Sequence, residues 1–235
     1  MCAAYSIPMR EEISFAWYAI FSSESVKYTY SPSDSAVVNS RNFKYKFQKD
    51  GSVYKGDWTN AKMNGKGTYT FASKSVYDGD WEVGKFHGRG VMTYITGEVY
   101  DGEWVKDRPH GMGTLKTSIA TYEGMWESGM KHGKGILRWN SGDVYEGDFV
   151  KDMREGSGVL ACADGSRYEG EWKADREEGK ATCSNGYGLY VGDFESGVKA
   201  GTGKMTYTNG DVYEGSWVGN VRSGQGSFVQ NNGIK

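Results

Sequence analysis

From Val53 onward the chain alternates. In VYKGDWT the tyrosine, glycine and tryptophan fall on one side and Lys55 and Asp57 on the other. A period of two is the mark of a strand with one face packed and one solvated. After Trp58 a polar turn, TNAKMN, breaks the alternation, and then Gly65, Gly67, Tyr69 and Phe71 again share a face. Two such stretches around a turn predict a β-hairpin.

The hairpin recurs. Tyr54, Tyr77, Tyr100, Tyr122, Tyr145, Tyr168, Tyr190 and Tyr213 follow one another at 23, 23, 22, 23, 23, 22 and 23 residues. Two positions after each tyrosine stands a glycine, and four positions after it a large ring: Trp58, Trp81, Trp104, Trp126, Phe149, Trp172, Phe194 and Trp217. A second glycine pair, Gly65 and Gly67 in the first copy, returns in every copy except that Ala181 takes the second place in the sixth. These three columns hold 23 of the 35 glycines, so most of the glycine is structural. Glycine is a poor strand former, and its regular use in strands marks places where another group approaches the backbone. The rings of neighbouring strands are the expected approaching groups. Apolar residues two places after the second pair (Tyr69, Met92, Leu115, Leu137, Leu160, Cys183, Met205, Phe228) complete a ridge. One hairpin alone is marginal in water, so stability is expected from stacked neighbours.

Composition narrows the function. Lys and Arg number 28 against 30 Asp and Glu, which argues against bulk nucleic-acid binding. Proline is too scarce for collagen, and aromatics at 14% are too many for a flexible linker. Cys2, Cys162 and Cys183 are at unrelated spacings, which fits a reducing compartment. The apolar run Ile13–Phe21 is about half of what spans a bilayer, and Glu11 and Glu12 stand where a signal peptide is basic. The chain is read as soluble and intracellular.

The motifs YKGDW…NGKG, YDGDW…HGRG, YDGEW…HGMG, YEGMW…HGKG and YEGDF…EGSG resemble MORN (membrane occupation and recognition nexus) repeats. The resemblance covers residues 54–235, with a degenerate half copy over 42–53 and a non-repeat extension over 1–41. It implies an all-β fold, an extended single-layer antiparallel sheet of stacked hairpins, and a non-catalytic array without cofactor. Such arrays occur in radial-spoke heads of cilia, in protist cytoskeletal scaffolds, in junctional membrane tethers and as targeting modules of larger enzymes. The sixth copy, with Ala181 and the irregular TCSNGYGL, is expected to carry a kink or bulge.

Candidate sites follow from the columns. Tyr54, Trp58, Tyr77, Trp81, Tyr100, Trp104, Tyr122, Trp126, Tyr145, Phe149, Tyr168, Trp172, Tyr190, Phe194, Tyr213 and Trp217 are expected to line a groove in which protein partners of a large assembly bind. Charge over the eight turns sums to +6, so Lys62, Lys66, Lys85, Arg89, Lys106, Arg108, Lys131 and Lys134 are expected to form a weakly basic edge facing an acidic membrane or tubulin-like surface. His87, His110 and His132 share one column, but neighbouring copies about 9–10 Å apart cannot share a zinc whose ligands sit about 2.0–2.1 Å away. Asp78/Asp80 and Asp101/Glu103 belong to a solvated face, and Gly88–Gly90 lacks the helix of a phosphate loop.

Residues 1–41 carry Phe15, Trp17, Tyr18, Ile20 and Phe21 and are expected to cap the array or dock a partner. Lys235 falls one residue before the next expected tyrosine, so the chain continues in a longer form or its last edge pairs with another molecule, homodimerisation through terminal repeats included. The expected role is a scaffold in a ciliary (axonemal, radial-spoke-like) or cytoskeletal assembly, with an anionic-membrane tether or a fragment of a larger enzyme as alternatives.

Overall fold

The computed structural model describes residues 39–47 and 49–232. The expected cap over residues 1–41 lies, but for its last three residues, outside the described residues, as does Lys235. A first strand, β1 (Asn39–Lys46), precedes eight hairpins. These are β2 (Val53–Thr59) with β3 (Lys62–Thr70), β4 (Val76–Glu82) with β5 (Lys85–Thr93), β6 (Val99–Val105) with β7 (Arg108–Lys116), and β8 (Ala120–Glu127) with β9 (Met130–Trp139). Then come β10 (Val144–Val150) with β11 (Met153–Ala161), β12 (Arg167–Lys173) with β13 (Arg176–Asn185), β14 (Gly188–Glu195) with β15 (Val198–Tyr207), and β16 (Val212–Val218) with β17 (Val221–Val229). From β1 to β8 each strand pairs antiparallel with the next. The same holds from β9 to β17. The all-β fold of antiparallel hairpins is as the alternation predicts. The described residues fall into two compact units, 39–132 and 133–232.

The hairpin turns are shorter than the six polar residues read from the sequence. Thr59 faces Lys62, so only Asn60 and Ala61 are in the turn. Both have positive φ, 50° and 56°, and so do the two residues at the tip of every later hairpin, Lys106 and Asp107 or Lys151 and Asp152 among them. Two left-handed residues give a turn whose twist matches that of its strands, which is why Asn, Asp, Ser, Lys and Gly recur there.

A bulge with two extra residues on the second strand follows in seven of the hairpins. The pairing slips after Gly56, Gly79, Gly102, Gly147, Gly170, Gly192 and Gly215. Opposite the slip, the first glycine of the second pair is left-handed in all eight copies, from Gly201 at 54° to Gly65 at 90°. A side chain there is strained, so this column is glycine for backbone reasons. The slip at Gly170 is the one its neighbours show, so the bulge expected to single out the sixth copy is shared.

The remaining two glycine columns form one row across the strands. Gly56 faces Gly67, which faces Gly79, then Gly90, Gly102, Gly113 and Gly124. In residues 133–232 the row runs Gly135, Gly147, Gly158, Gly170, Ala181, Gly192, Gly203, Gly215 and Gly226. This bare row is where the tyrosines lie.

Candidate interaction faces

Tyr54, Tyr77, Tyr100, Tyr145, Tyr190 and Tyr213 fold flat over the two glycines of their own hairpins. A methyl group on Gly67 would stand 2.2 Å from Tyr54 Oη, and one on Gly90 2.3 Å from Tyr77 Oη, well inside contact distance. The phenol thereby reaches the bulge and donates to the carbonyl three residues on, Tyr54 to Asp57 at 2.9 Å and Tyr168 to Glu171 at 2.8 Å, with the same bond in all eight copies. Burial pushes the phenols of Tyr54, Tyr77, Tyr100, Tyr145 and Tyr168 well above their ordinary range, and that of Tyr190 up to about 12, so all six stay protonated donors. The residue three places after the tyrosine, acidic in six copies, supplies the other half of the bulge. Its carboxylate accepts the amide just past the left-handed glycine, Arg89 N–H to Asp80 at 3.0 Å and Thr202 N–H to Asp193 at 2.9 Å. That amide is the largest influence holding the Asp193 carboxyl below its usual range.

The indoles tie one hairpin to the one before. Trp81 Nε1–H donates to the Gly67 carbonyl at 2.8 Å, Trp104 to Gly90, Trp126 to Gly113, Trp172 to Gly158 and Trp217 to Gly203. Each such indole stands edge-on to the preceding tyrosine, as Trp104 does to Tyr77 with centroids 5.4 Å apart at 88°. Phe43 takes the glycine's place opposite Gly56, and the Trp58 Nε1–H is buried without an acceptor among the described residues. The sixth copy presents Ala181 instead of glycine, and the ring that follows is Phe194, which has no donor to satisfy.

A further column closes over the rings, nine residues after each tyrosine: Met63, Phe86, Pro109, Lys131, Arg154, Glu177, Lys199 and Arg222. Phe86 stacks on Tyr77 at 3.8 Å. Later copies use cations: Lys131 over Tyr122, Arg154 4.0 Å from the Trp172 ring, Lys199 over Tyr190 and Trp217, and Arg222 over Tyr213 and Phe228. Such contacts are worth about 0.5–2 kcal/mol each. The next hairpin's turn fastens the lid's backbone, as Asp175 does by accepting the Arg154 amide at 2.8 Å and donating its own to the Arg154 carbonyl. The sequence reading missed this column because it counted these residues as turn. The apolar Met63, Phe86 and Pro109 at one spacing were the available signal.

Glu177 is the odd lid. Burial raises its carboxyl above the usual range, only partly offset by Arg154, whose guanidinium is also paired with Asp175 at 3.3 Å. A carboxyl whose pKa is higher in the fold than in the unfolded chain costs stability as pH rises through that interval. Glu177→Gln cannot ionise, so its melting temperature is expected to exceed the parent's at neutral pH, the gap closing near pH ~4. A gap equal at both pH values contradicts this.

These contacts correct the expected groove. All sixteen rings are buried, from 0% exposure at Tyr54, Tyr77, Tyr100, Tyr145, Phe149 and Tyr190 to 7% at Tyr213. They are the core of a sheet that packs on its own side chains, and a partner on that side meets the lids instead. The basic edge is also divided. Lys131 is a buried lid, Lys66 and Lys134 pair with Asp80 and Asp148 at 2.6 and 2.8 Å, and Lys85 pairs with Asp107 at 3.0 Å. Lys62, Arg89, Lys106 and Arg108 are exposed. A linear charge count cannot tell a lid from an outer-face side chain.

The outer face is polar. Asp80 and Glu103 serve the bulges, and Asp78 and Asp101 are exposed. His87 and His132 lie 3.1 and 3.4 Å from Glu82 and Glu127, while His110 faces Glu103 across the strands. Among the described residues no three His, Cys, Asp or Glu side chains gather as a metal group would require. Cys183 is buried, Cys162 half-buried, and no disulfide joins them. Within residues 133–232 an open concavity of ≈ 690 Å³ has Glu169, Lys180, Val191, Lys204 and Glu214 on its walls.

The MORN repeat family model matches residues 54–76, 77–99, 100–118, 122–144, 145–167, 168–187, 190–212 and 213–235. Comparison with curated proteins gives no match. Among solved structures, the TCP10 domain of Danio rerio CPAP in complex with a peptide of Danio rerio STIL is similar at 12% identity and TM-score 0.44, over 80% of this chain and 88% of that one. The TCP domain of Drosophila melanogaster SAS-4 (dCPAP), in complex with a proline-rich motif of Ana2 (dSTIL), is similar at 10% identity and TM-score 0.35, over 87% and 97%. With eight matched copies, each built on the same tyrosine, glycine and ring geometry, this chain belongs to the MORN-repeat family, a generally non-catalytic repeat with a binding or scaffold role.

Proposed function

We propose that the protein is a non-catalytic scaffold that holds protein partners within a cytoskeletal assembly, in particular a ciliary, axonemal one of the radial-spoke kind. The observation that carries this reading is the division of labour between columns. The tyrosine, glycine and ring columns barely vary from copy to copy, whereas outer-face positions do, with Met125 and Val191 where most copies place an acid. A uniform core supports a surface whose side chains differ along the array, which suits the recognition of several partners or of one long one.

Fractionation of ciliated cells tests the reading. A tagged protein should remain with the detergent-insoluble cytoskeletal and axonemal fraction. Release by detergent, together with binding to anionic vesicles that fades as salt rises from about 50 to 300 mM, would turn the assignment to a membrane tether.

A further inference from the structure

Two rows of side chains run across the outer face of residues 39–132. One is made of the cross-strand partners Lys66 and Asp80, Arg89 and Glu103, and Met112 and Met125. The other, two residues along each strand, begins with Lys44 and Lys55 on β1 and β2 and then, from β3 to β8, reads Thr68, Asp78, Val91, Asp101, Thr114 and Glu123.

In the first row charge is matched locally. Lys66 lies 2.6 Å from Asp80, and the same register in later copies gives Lys134 with Asp148 at 2.8 Å and Lys180 with Asp193 at 3.2 Å. Met112 and Met125 occupy that register as an apolar pair, 51% and 46% exposed. Thioethers are adaptable contact groups, and a pair of them left in water gains from being covered.

In the second row charge is unmatched from β4 to β8, the two lysines lying at its far end on β1 and β2. Asp78, Asp101 and Glu123 are exposed, and among the described residues none of them forms an ion pair. They stand on every second strand, hence about 9.6 Å apart. An α-helix returns to the same side every seven residues with a rise of about 10.5 Å, a mismatch that long Lys and Arg stems absorb. The two rows are separated by two residues of strand, about 6.6 Å. A helix about 10 Å across, laid over the strands, covers both. A single extended chain covers one.

We propose that this face docks a basic amphipathic helix of a protein partner. Lys or Arg at heptad spacing lie over Asp78, Asp101 and Glu123, and an apolar side chain seats on Met112 and Met125. The inference rests on the scaffold reading and names the chemistry of one of its partners.

The test uses fluorescence anisotropy on the full chain with three synthetic peptides of equal charge. One is helical, about three heptads long, with lysine at one heptad position and leucine beside it. The second has the same composition in scrambled order, and the third is proline-rich and extended. The heptad peptide is expected to bind more tightly than either control by roughly tenfold or more. The double variant Met112→Lys with Met125→Asp rebuilds the ion pair already present at Lys66 and Asp80, so the fold is retained. It should weaken the heptad peptide by roughly tenfold or more, and Asp101→Asn should flatten the salt dependence. No binding of the heptad peptide, equal binding of all three, preference for the proline-rich peptide, or an unchanged double variant would each overturn the helix. None of these results alters the cell fractionation, so failure here and failure of the scaffold reading are told apart.

Discussion

Replacing Trp104 with alanine is expected to destabilise the protein by about 3–5 kcal/mol, measured as a shift in urea unfolding at constant slope. The indole is 1% exposed and meets three rings edge-on: Tyr100 at 5.0 Å, Tyr77 at 5.4 Å and Phe86 at 5.4 Å. Its removal leaves a cavity beside rings that are held by neighbouring strands. It also removes the 2.9 Å bond to the Gly90 carbonyl. Trp104→Phe separates the two contributions, because Phe149 and Phe194 show that the site accepts a phenyl ring. That change should cost mainly the hydrogen bond, about 1 kcal/mol. A loss under about 1 kcal/mol for the alanine variant would contradict the core assignment.

Gly113→Val is the second large effect, expected at about 2–3 kcal/mol. A Cβ there would stand 2.3 Å from Tyr100 Oη and 2.6 Å from Cζ, so the ring must leave its place over the row. The backbone at Gly113 is not left-handed, so contact alone carries the cost, unlike at Gly111, whose φ is 60°. The sixth copy shows how far the row yields: beside Ala181, Gly170 is 2.9 Å from Tyr168 Oη by the same construction, against 2.5 Å at Gly102. Alanine is thus met by a ring shift of a few tenths of an ångström, and valine is not. A variant with the parent's urea midpoint would show that the tyrosine does not need the bare row.

Much of this was legible in the chain. The spacing of Tyr54, Gly56 and Trp58 and their seven later counterparts defines strand, face and register together, because an alternating pattern slipped by one residue would expose every ring. The reading that rings lie across glycines holds for Gly56 and Gly67 and fails for Gly65, which is glycine because its φ is 90°. Two columns with one composition have different causes, and only backbone angles separate them.

The lids and the outer rows were the part left unread. Lys131 and Lys134 are three residues apart and equally charged, yet one is buried against Tyr122 and the other reaches Asp148 across the outer face. Counting back in twos from Gly135 puts Lys131 on the ring side and Lys134 on the other, but a reading that starts the second strand at Gly133 leaves Lys131 in the turn and assigns it no side.

Periodicity by itself determined the hairpins, their number and the identity of the inward rings, since each copy encodes these in short-range order. Which cations are covered, which acids are left unmatched and where two methionines meet depends on pairing between residues of neighbouring strands. Those contacts are long-range, and only the folded sheet brings them together.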